Sequence, residues 1–365
     1  MIGRKSNTSE VRADQVASAK CQTLKLGLDV HADTIVVVRI LDQSGPQPAQ
    51  KFSPAGFLEW VQSQRALAQR VHSCYEAGPF GYGLHRQLIA LGIENVVVQP
   101  VCLDERHKGV NHDKSDAREL ALRLDRYVAG NPHAMALVRV PSLAEEQRRA
   151  QSRQREQLKR EVQRVAAQGR SLLLSQGQRQ QKSWWEGRRW EKLQLQLPPW
   201  LVAHLEVFRR VLATLQSELE ALTQALEGAA QTLRPKGLGG MTCEVLEREI
   251  GDWHRFKNRR EVGSYTGLCG GVSSSGRSTH LLPITKHGNV RVRTALIELA
   301  WRLVIWQPDA KLVKKWWGVL GNLKATRGAK KKAIVAIARQ TAVDLWRWRT
   351  GRVKPQDLGW VMIGA

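Results

Sequence analysis

The chain has little sulfur with which to cross-link itself. Its five cysteines (Cys21, Cys74, Cys102, Cys243 and Cys269) are odd in number, form no Cys-x-x-Cys pair and have no histidine nearby at finger spacing. These features exclude a disulfide framework and a zinc ribbon, and they suit a reducing, cytoplasmic compartment. Long apolar runs are also missing. Stretches such as Ile35–Val38 and Val96–Val98 fall far below the roughly 20 residues of a membrane-spanning helix, and no apolar run backs the charges at the N-terminus, so no membrane partner is expected. Negative charge is scarce, with 33 Asp and Glu against 57 Lys and Arg and a formal net charge of +24. A field of that sign gathers polyanions. Nucleic acid absorbs it best, through phosphate neutralisation and counterion release; an acidic protein is the alternative partner.

A hydrophobic fraction of 42% in 365 residues supports real cores. At roughly 150 residues per domain, two to three domains fit, which excludes a wholly disordered basic tail. Residues 1–20 are polar and aperiodic and read as a loose arm. Thr23–Val30 and Thr34–Leu41 are β-branched runs joined by His31-Ala32-Asp33, which predicts a hairpin. Helical spacing follows over Phe57–Val71, then a buried strand at Val71–Tyr75, a helix at Gly83–Leu91, a strand at Glu94–Gln99 and a helix over Ala117–Val128. That order predicts an α/β domain over residues 21–140, a mixed sheet flanked by helices.

From Ser142 to about Gln180 the character changes to a Gln/Arg-rich helical sequence, opened by a capping box of Ser142 and Glu145. A second helix over Trp200–Leu226 carries a stripe at Leu201, Leu205, Leu212, Leu215, Leu219, Leu222 and Leu226. Residues 141–230 therefore read as a helical hairpin or coiled-coil arm, whose leucines serve either packing within the chain or a homo-oligomer interface. Residues 231–365 form a third, mostly helical part rich in Gly, Trp and basic residues, with helices near Val290–Trp306 and Lys330–Trp348. Arg148–Lys192 (13 basic, 4 acidic) and Asp309–Lys354 (13 basic, 2 acidic) supply +20 of the +24, which marks them as the charged surfaces. The interleaved Trp184, Trp185, Trp190, Trp316, Trp317, Trp346 and Trp348 either stack on unpaired bases or anchor small cores.

Four acids stand where chemistry can use them. Asp29 ends the apolar strand Leu26-Gly27-Leu28, and Glu76 ends the next predicted strand just before Gly78. A carboxylate projecting from an apolar strand is costly to bury without a cation or donor. Asp113 and Asp116 share one face at the start of a helix. Taken singly, Asp113 and Asp116 could be favourable first-turn charges and Asp29 could close a turn. Together, oxygen donors of this kind suit Mg²⁺, with Mn²⁺ as a substitute, and two such ions would support in-line attack at a phosphodiester.

The motifs Gly27-Leu28-Asp29-Val30-His31, Tyr75-Glu76-Ala77-Gly78 and Asp113-Lys114-Ser115-Asp116-Ala117 resemble the three acidic motifs of the transposase/recombinase family of insertion-sequence type 110 and its 1111 subgroup. The resemblance continues through Val140-Pro141-Ser142, Glu249-Ile250-Gly251-Asp252, Ser264-Tyr265-Thr266-Gly267-Leu268, Ser274-Ser275-Gly276 and Ile284-Thr285-Lys286-His287-Gly288-Asn289 with Arg293, and so covers about Lys25 to Trp306.

The resemblance implies an RNase H-like first domain similar to the RuvC Holliday-junction resolvase, a helical arm and a C-terminal domain that brings a serine nucleophile to the acidic metal site. By motif position the serine is Ser275, with Ser274 its rival, in a flexible Gly271–Ser278 loop; Lys286, Arg291 and Arg293 downstream suit phosphate clamps. Also implied are a prokaryotic setting, strand exchange between donor and target DNA through a covalent phosphoserine, guidance by a structured bridge RNA, and a homo-oligomer from dimer to tetramer. Two positions depart from the family pattern: Cys269-Gly270 stands where proline often follows Gly-Leu, and Pro283 where glycine often precedes Ile-Thr-Lys. A metal-dependent junction resolvase that does not need Ser275, and a non-catalytic nucleic-acid-binding protein, are the competing readings.

Overall fold

Residues 21–100, 113–180, 183–228, 233–275 and 278–364 are described by a computed structural model. They fall into two units, Met1–Val140 and Pro141–Ala365.

The first unit opens with strand β1 (Cys21–Val30), which turns through residues 31–34 into β2 (Ile35–Leu41) as an antiparallel hairpin with Gly27 opposite Val38. The short edge strand β3 (Gln50–Phe52) follows, then helix α1 (Pro54–Gln64), β4 (Ala68–Glu76), α2 (Gly83–Ala90), β5 (Glu94–Val98) and α3 (Asp113–Val128). Side by side, the strands run β3-β2-β1-β4-β5. Strands β1, β4 and β5 are parallel, and β2 is antiparallel to both its neighbours.

Both faces of the sheet are covered, which is why its central strands are almost continuously apolar. Leu24, Leu26 and Leu28 pack with Phe57, Val61 and Leu88 on one side. On the other, Val36, Val38 and Ile40 meet Ala117 and Ala121 of α3, while Cys74 and Val98 meet its Leu120 and Leu124. The mixed α/β arrangement matches the expectation, with departures in detail. Helix α1 stops at Gln64, where the Arg65 amide turns back to the Gln62 and Ser63 carbonyls, because Ala68 and Val71 are needed as β-partners of Cys21 and Leu24. The polar β3 has no apolar alternation by which to read it. Helix α3 starts at Asp113, one turn before the predicted Ala117.

The second unit begins with α4 (Leu143–Ser175), whose first turn has the predicted capping box: Glu145 N–H donates to Ser142 Oγ, and Ser142 N–H donates to Glu145 Oε2. Helices α5 (Gly187–Gln194) and α6 (Pro199–Gly228) follow. Arg155 Nε, near the start of α4, donates to Thr223 Oγ1 near the end of α6 at 2.7 Å, so the two long helices are antiparallel. The unforeseen α5 fills the space between them. Trp184, Trp185 and Trp190 are buried there, Trp184 at 1% exposure with its indole N–H on the Ala166 carbonyl. This corrects the stacking alternative for these three rings. Leu201, Leu205, Leu212 and Leu226 are buried within the unit as well, so these leucines of the stripe serve the chain's own core.

The rest of the unit comprises β6 (Arg234–Pro235), α7 (Gly240–Ile250), α8 (Arg259–Thr266), the hairpin β7 (Gly270–Ser275) and β8 (Ser278–Ile284), α9 (Val290–Trp306), α10 (Lys311–Leu320), α11 (Arg327–Arg349) and β9 (Met362–Ile363), which pairs with β6. Helix α9 is central. Its Val292, Leu296, Leu299 and Leu303 pack with Leu246 and Ile250 of α7 and with Ile334, Ile337 and Ala338 of α11. Trp346 is buried in this core, whereas Trp317 is half exposed. Among the described residues no helix is long and apolar enough to cross a membrane.

Candidate functional site

Register places two of the four acids together. Gly27 pairs with Cys74 and Leu28 with Tyr75 across parallel β1 and β4, so the next step along both strands is Asp29 beside Glu76. A strand's alternate residues share a face. Gly27 points at α3, because a Cβ there would lie 2.3 Å from both the Ala117 carbonyl oxygen and the Ala121 nitrogen. Cys74 points the same way, its Sγ 3.4 Å from the Leu120 carbonyl. Asp29 and Glu76, each two residues further on, therefore open onto the face that α3 covers.

Asp116 directly precedes Ala117 and lies one turn before Leu120. It is half-buried, as is Glu76. Asp113 is the first residue of α3; its side chain lies outside the described residues. Asp29 Oδ2 is 3.0 Å from His31 Nε2, and its side chain is 20% exposed. Burial pushes the Cys74 thiol far up, and the neighbouring Glu76 carboxylate pushes it further. The sulfur thus stays protonated, which leaves the carboxylate oxygens and the His31 imidazole beside Asp29 as the donors on this edge. Among the described residues no three His, Cys, Asp or Glu side chains gather as a ready ion site.

The predicted flexible serine loop is instead the β7–β8 hairpin, with Ser274 opposite Thr279 and Ser275 opposite Ser278; residues 276–277 lie outside the described residues. Its glycines and serines pack little, so the pairing depends on the hairpin's root. There Thr285 N–H donates to the Cys269 carbonyl at 2.9 Å and Lys286 N–H to the Gly267 carbonyl at 3.1 Å. Pro283, which cannot donate to a ladder, falls at the register shift between Gly270 and Val272, where a missing N–H is tolerated. Both serines are exposed. Ser274 Oγ is 3.3 Å from Thr279 Oγ1, while Ser275 Oγ has no hydrogen-bond partner among the described residues.

The three predicted phosphate clamps have different surroundings. Lys286 is exposed, with its backbone in the left-handed region at φ 58°. Arg291 Nε donates to Glu156 Oε2 at 2.5 Å. Arg293 turns to the backbone, its Nη1 donating to the carbonyls of Thr266 at 3.2 Å and Lys286 at 3.1 Å.

Sequence reasoning assigned no role to Glu249, yet it is a fully buried carboxylate with both oxygens hydrogen-bonded. It is 1% exposed. Arg153 grips both its oxygens at 2.8 and 2.9 Å, and Asn289 Nδ2 donates to Oε2 at 2.8 Å. Burial alone would raise its pKa, but these hydrogen bonds and the charges of Arg153 and Arg291 hold it below the ordinary value. The usable signal was its place in the Glu249-Ile250-Gly251-Asp252 motif.

Comparison with known proteins gives one consistent result. Residues 232–314 match the family model described as Transposase IS116/IS110/IS902 family. A Sinorhizobium fredii protein designated as a candidate transposase, y4rJ, is 33% identical over 300 residues, 75% of each chain. The transposase for insertion sequence element IS1111A of Coxiella burnetii is 24% identical over 335 residues, 88% of each chain.

Proposed function

Because this chain belongs to the IS116/IS110/IS902 transposase family, we propose that it is a DNA recombinase of an insertion sequence that cuts and exchanges strands with a serine nucleophile and an acidic metal site. The observation that carries the reading is the parallel β1–β4 register, which ends at Leu28 opposite Tyr75 and so brings Asp29 and Glu76 to adjacent strand ends on the face covered by the helix that bears Asp113 and Asp116. The strand order β3-β2-β1-β4-β5, with β2 alone reversed, supports an RNase H-like, RuvC-type domain. A competing junction resolvase would use the same acids to activate water.

The donor set fits a hard divalent ion. It offers carboxylate oxygen, and the neighbouring Cys74 thiol is held protonated. Asp29, Glu76, Asp113 and Asp116 would hold Mg²⁺, or Mn²⁺ in its place, which when bound supplies neutralising charge at the phosphodiester. Ser275 Oγ attacks phosphorus; the O–P bond forms as the bond to the leaving sugar oxygen breaks, and the hydroxyl proton departs to a base while the leaving oxygen gains one. A sugar hydroxyl of the second strand then attacks the phosphoserine, restoring the serine and joining the strands. Donor and target DNA are the substrates. A structured bridge RNA as guide fits the basic surfaces of α4 and α11, and a homo-oligomer of two to four subunits supplies a centre for each strand.

The test is a protein–DNA adduct that survives denaturation. Ser275→Ala should abolish it, and Ser274→Ala, which removes a hydroxyl already facing Thr279, should leave it in place. An adduct that persists in Ser275→Ala moves the role to Ser274 or discards it; metal-dependent cleavage without any adduct favours the resolvase.

A further inference from the structure

The serine hairpin hangs from a root made of two connectors pressed together. One is the end of α8 with Gly267-Leu268-Cys269, the other Thr285-Lys286-His287-Gly288. Gly288 has φ 133°, and a Cβ on it would lie 2.5 Å from the Tyr265 carbonyl oxygen, so only glycine permits this approach. Asn289 N–H donates to that same carbonyl at 2.8 Å. Arg293 crosses both connectors through the Thr266 and Lys286 carbonyls.

The root is in turn pinned to one side chain. Asn289 Oδ1 caps α9 by accepting from the Arg291 and Val292 amides at 3.0 and 3.2 Å, which leaves its Nδ2 for Glu249 at 2.8 Å and the Tyr265 hydroxyl at 3.2 Å. Tyr265 OH donates to the Glu249 backbone carbonyl at 2.7 Å. Glu249 thus meets the hairpin root with both its backbone and its carboxylate. The carboxylate also takes Arg153, in the third turn of the long helix α4, through a two-pronged contact. Such a contact fixes orientation as well as distance.

We propose that Glu249 is a positioning residue for Ser275: a buried carboxylate that fixes the serine hairpin's root to helix α4, so that the orientation of that helix sets where the nucleophile is presented. The proposal rests on the reading of Ser275 as nucleophile. It also explains why the motifs around Glu249, Tyr265 and Asn289 stand far apart in sequence yet meet around one carboxylate. A carboxylate is needed because Arg153 and Asn289 together use both oxygens; an amide offers only one acceptor to them.

Two variants separate positioning from mere support of the fold. Glu249→Gln removes one acceptor from Arg153. Asn289→Ser keeps a good helix cap and deletes the donor to Glu249. Each is measured for rate of adduct formation at saturating DNA, for DNA affinity and for melting temperature. Positioning predicts an adduct rate lower by about 10-fold or more in Asn289→Ser, with melting temperature and affinity near wild type, and partial recovery in Asn289→Gln, which keeps the amide donor. A wild-type adduct rate in folded Asn289→Ser, or losses in rate that only follow losses in melting temperature and affinity across both variants, would overturn it. Ser275→Ala run alongside isolates the underlying reading. Retention of the adduct there removes Ser275 as nucleophile, whereas its loss there together with full activity in Asn289→Ser rejects the positioning role alone.

Discussion

Gly27 lies directly under Ala117, so close that a methyl group on Gly27 would stand 2.3 Å from the Ala117 carbonyl oxygen. This contact seats the first turns of α3 on β1 two residues from Asp29, and it makes the spacing of the acidic edge a consequence of one missing side chain. Gly27→Ala must push α3 outward or bend β1. Overpacking against rigid backbone should cost about 2 kcal/mol or more, and displacement of Asp116 should lower metal-dependent cleavage in protein that still folds. Denaturant unfolding and a cleavage assay on the same preparation check both; unchanged stability would show that the helix yields freely.

Much of this arrangement is legible in the sequence because it is local. The β1–β2 hairpin follows from β-branched runs, the start of α4 from Ser142 and Glu145, and the acids' strand-end positions from the apolar residues before them. What is not legible depends on distance. Glu249 meets Arg153 across 96 residues and Asn289 across 40, and no periodicity reports such a pairing. Arg293 is legible as a cation, but its hold on the Thr266 and Lys286 carbonyls is not. The Trp184-Trp185 pair resembles a base-stacking element because sequence shows its basic neighbours and not the α4–α6 space it fills.

Glu249 also gives the fold an acid dependence. Burial pushes its pKa up, but the hydrogen bonds from Arg153 and Asn289 together with the charges of Arg153 and Arg291 hold the folded-state pKa below the ordinary value. The stabilisation is therefore fully present above the ordinary carboxylate value of 4.5 and is lost as pH falls through the lower folded value. The stability difference between wild type and Glu249→Gln should stay constant from neutral pH down to about the ordinary value of 4.5 and shrink as pH falls from there through the folded value. Unfolding free energies measured along a pH series test this, and a gap that narrows already near neutrality would contradict it.

Nucleic-acid binding should be strongly salt-dependent. Helix α4 with the α5 region, and α10 with α11, lie in the two segments that carry +20 of the +24 net charge. If six to ten of these cations neutralise phosphates, affinity should fall by roughly 10³ to 10⁵ between about 50 and 200 mM salt. A nearly flat response would place recognition elsewhere. A guide RNA adds a sharper expectation: one folded RNA should outcompete a scrambled RNA of equal length.

The last prediction concerns how many chains build one reaction centre. Ser275 lies 159 residues beyond Asp116 in the sequence, on a hairpin of the second unit, and its own strand carries no carboxylate to accept its proton. Serine is a weak nucleophile near neutral pH without a base or a polarised phosphate, so the proposed serine chemistry calls on the acids of the first unit. Strand exchange between two duplexes needs at least two such centres, which an oligomer supplies by symmetry. If serine and acids come from different subunits, Ser275→Ala and Asp116→Asn chains should each be inactive alone and regain a fraction of adduct formation when mixed. The recovered fraction should peak near equal proportions, because a working centre then draws its serine from one variant and its acids from the other. Mixed oligomers verified by mass that show no recovery would assign each centre to a single chain.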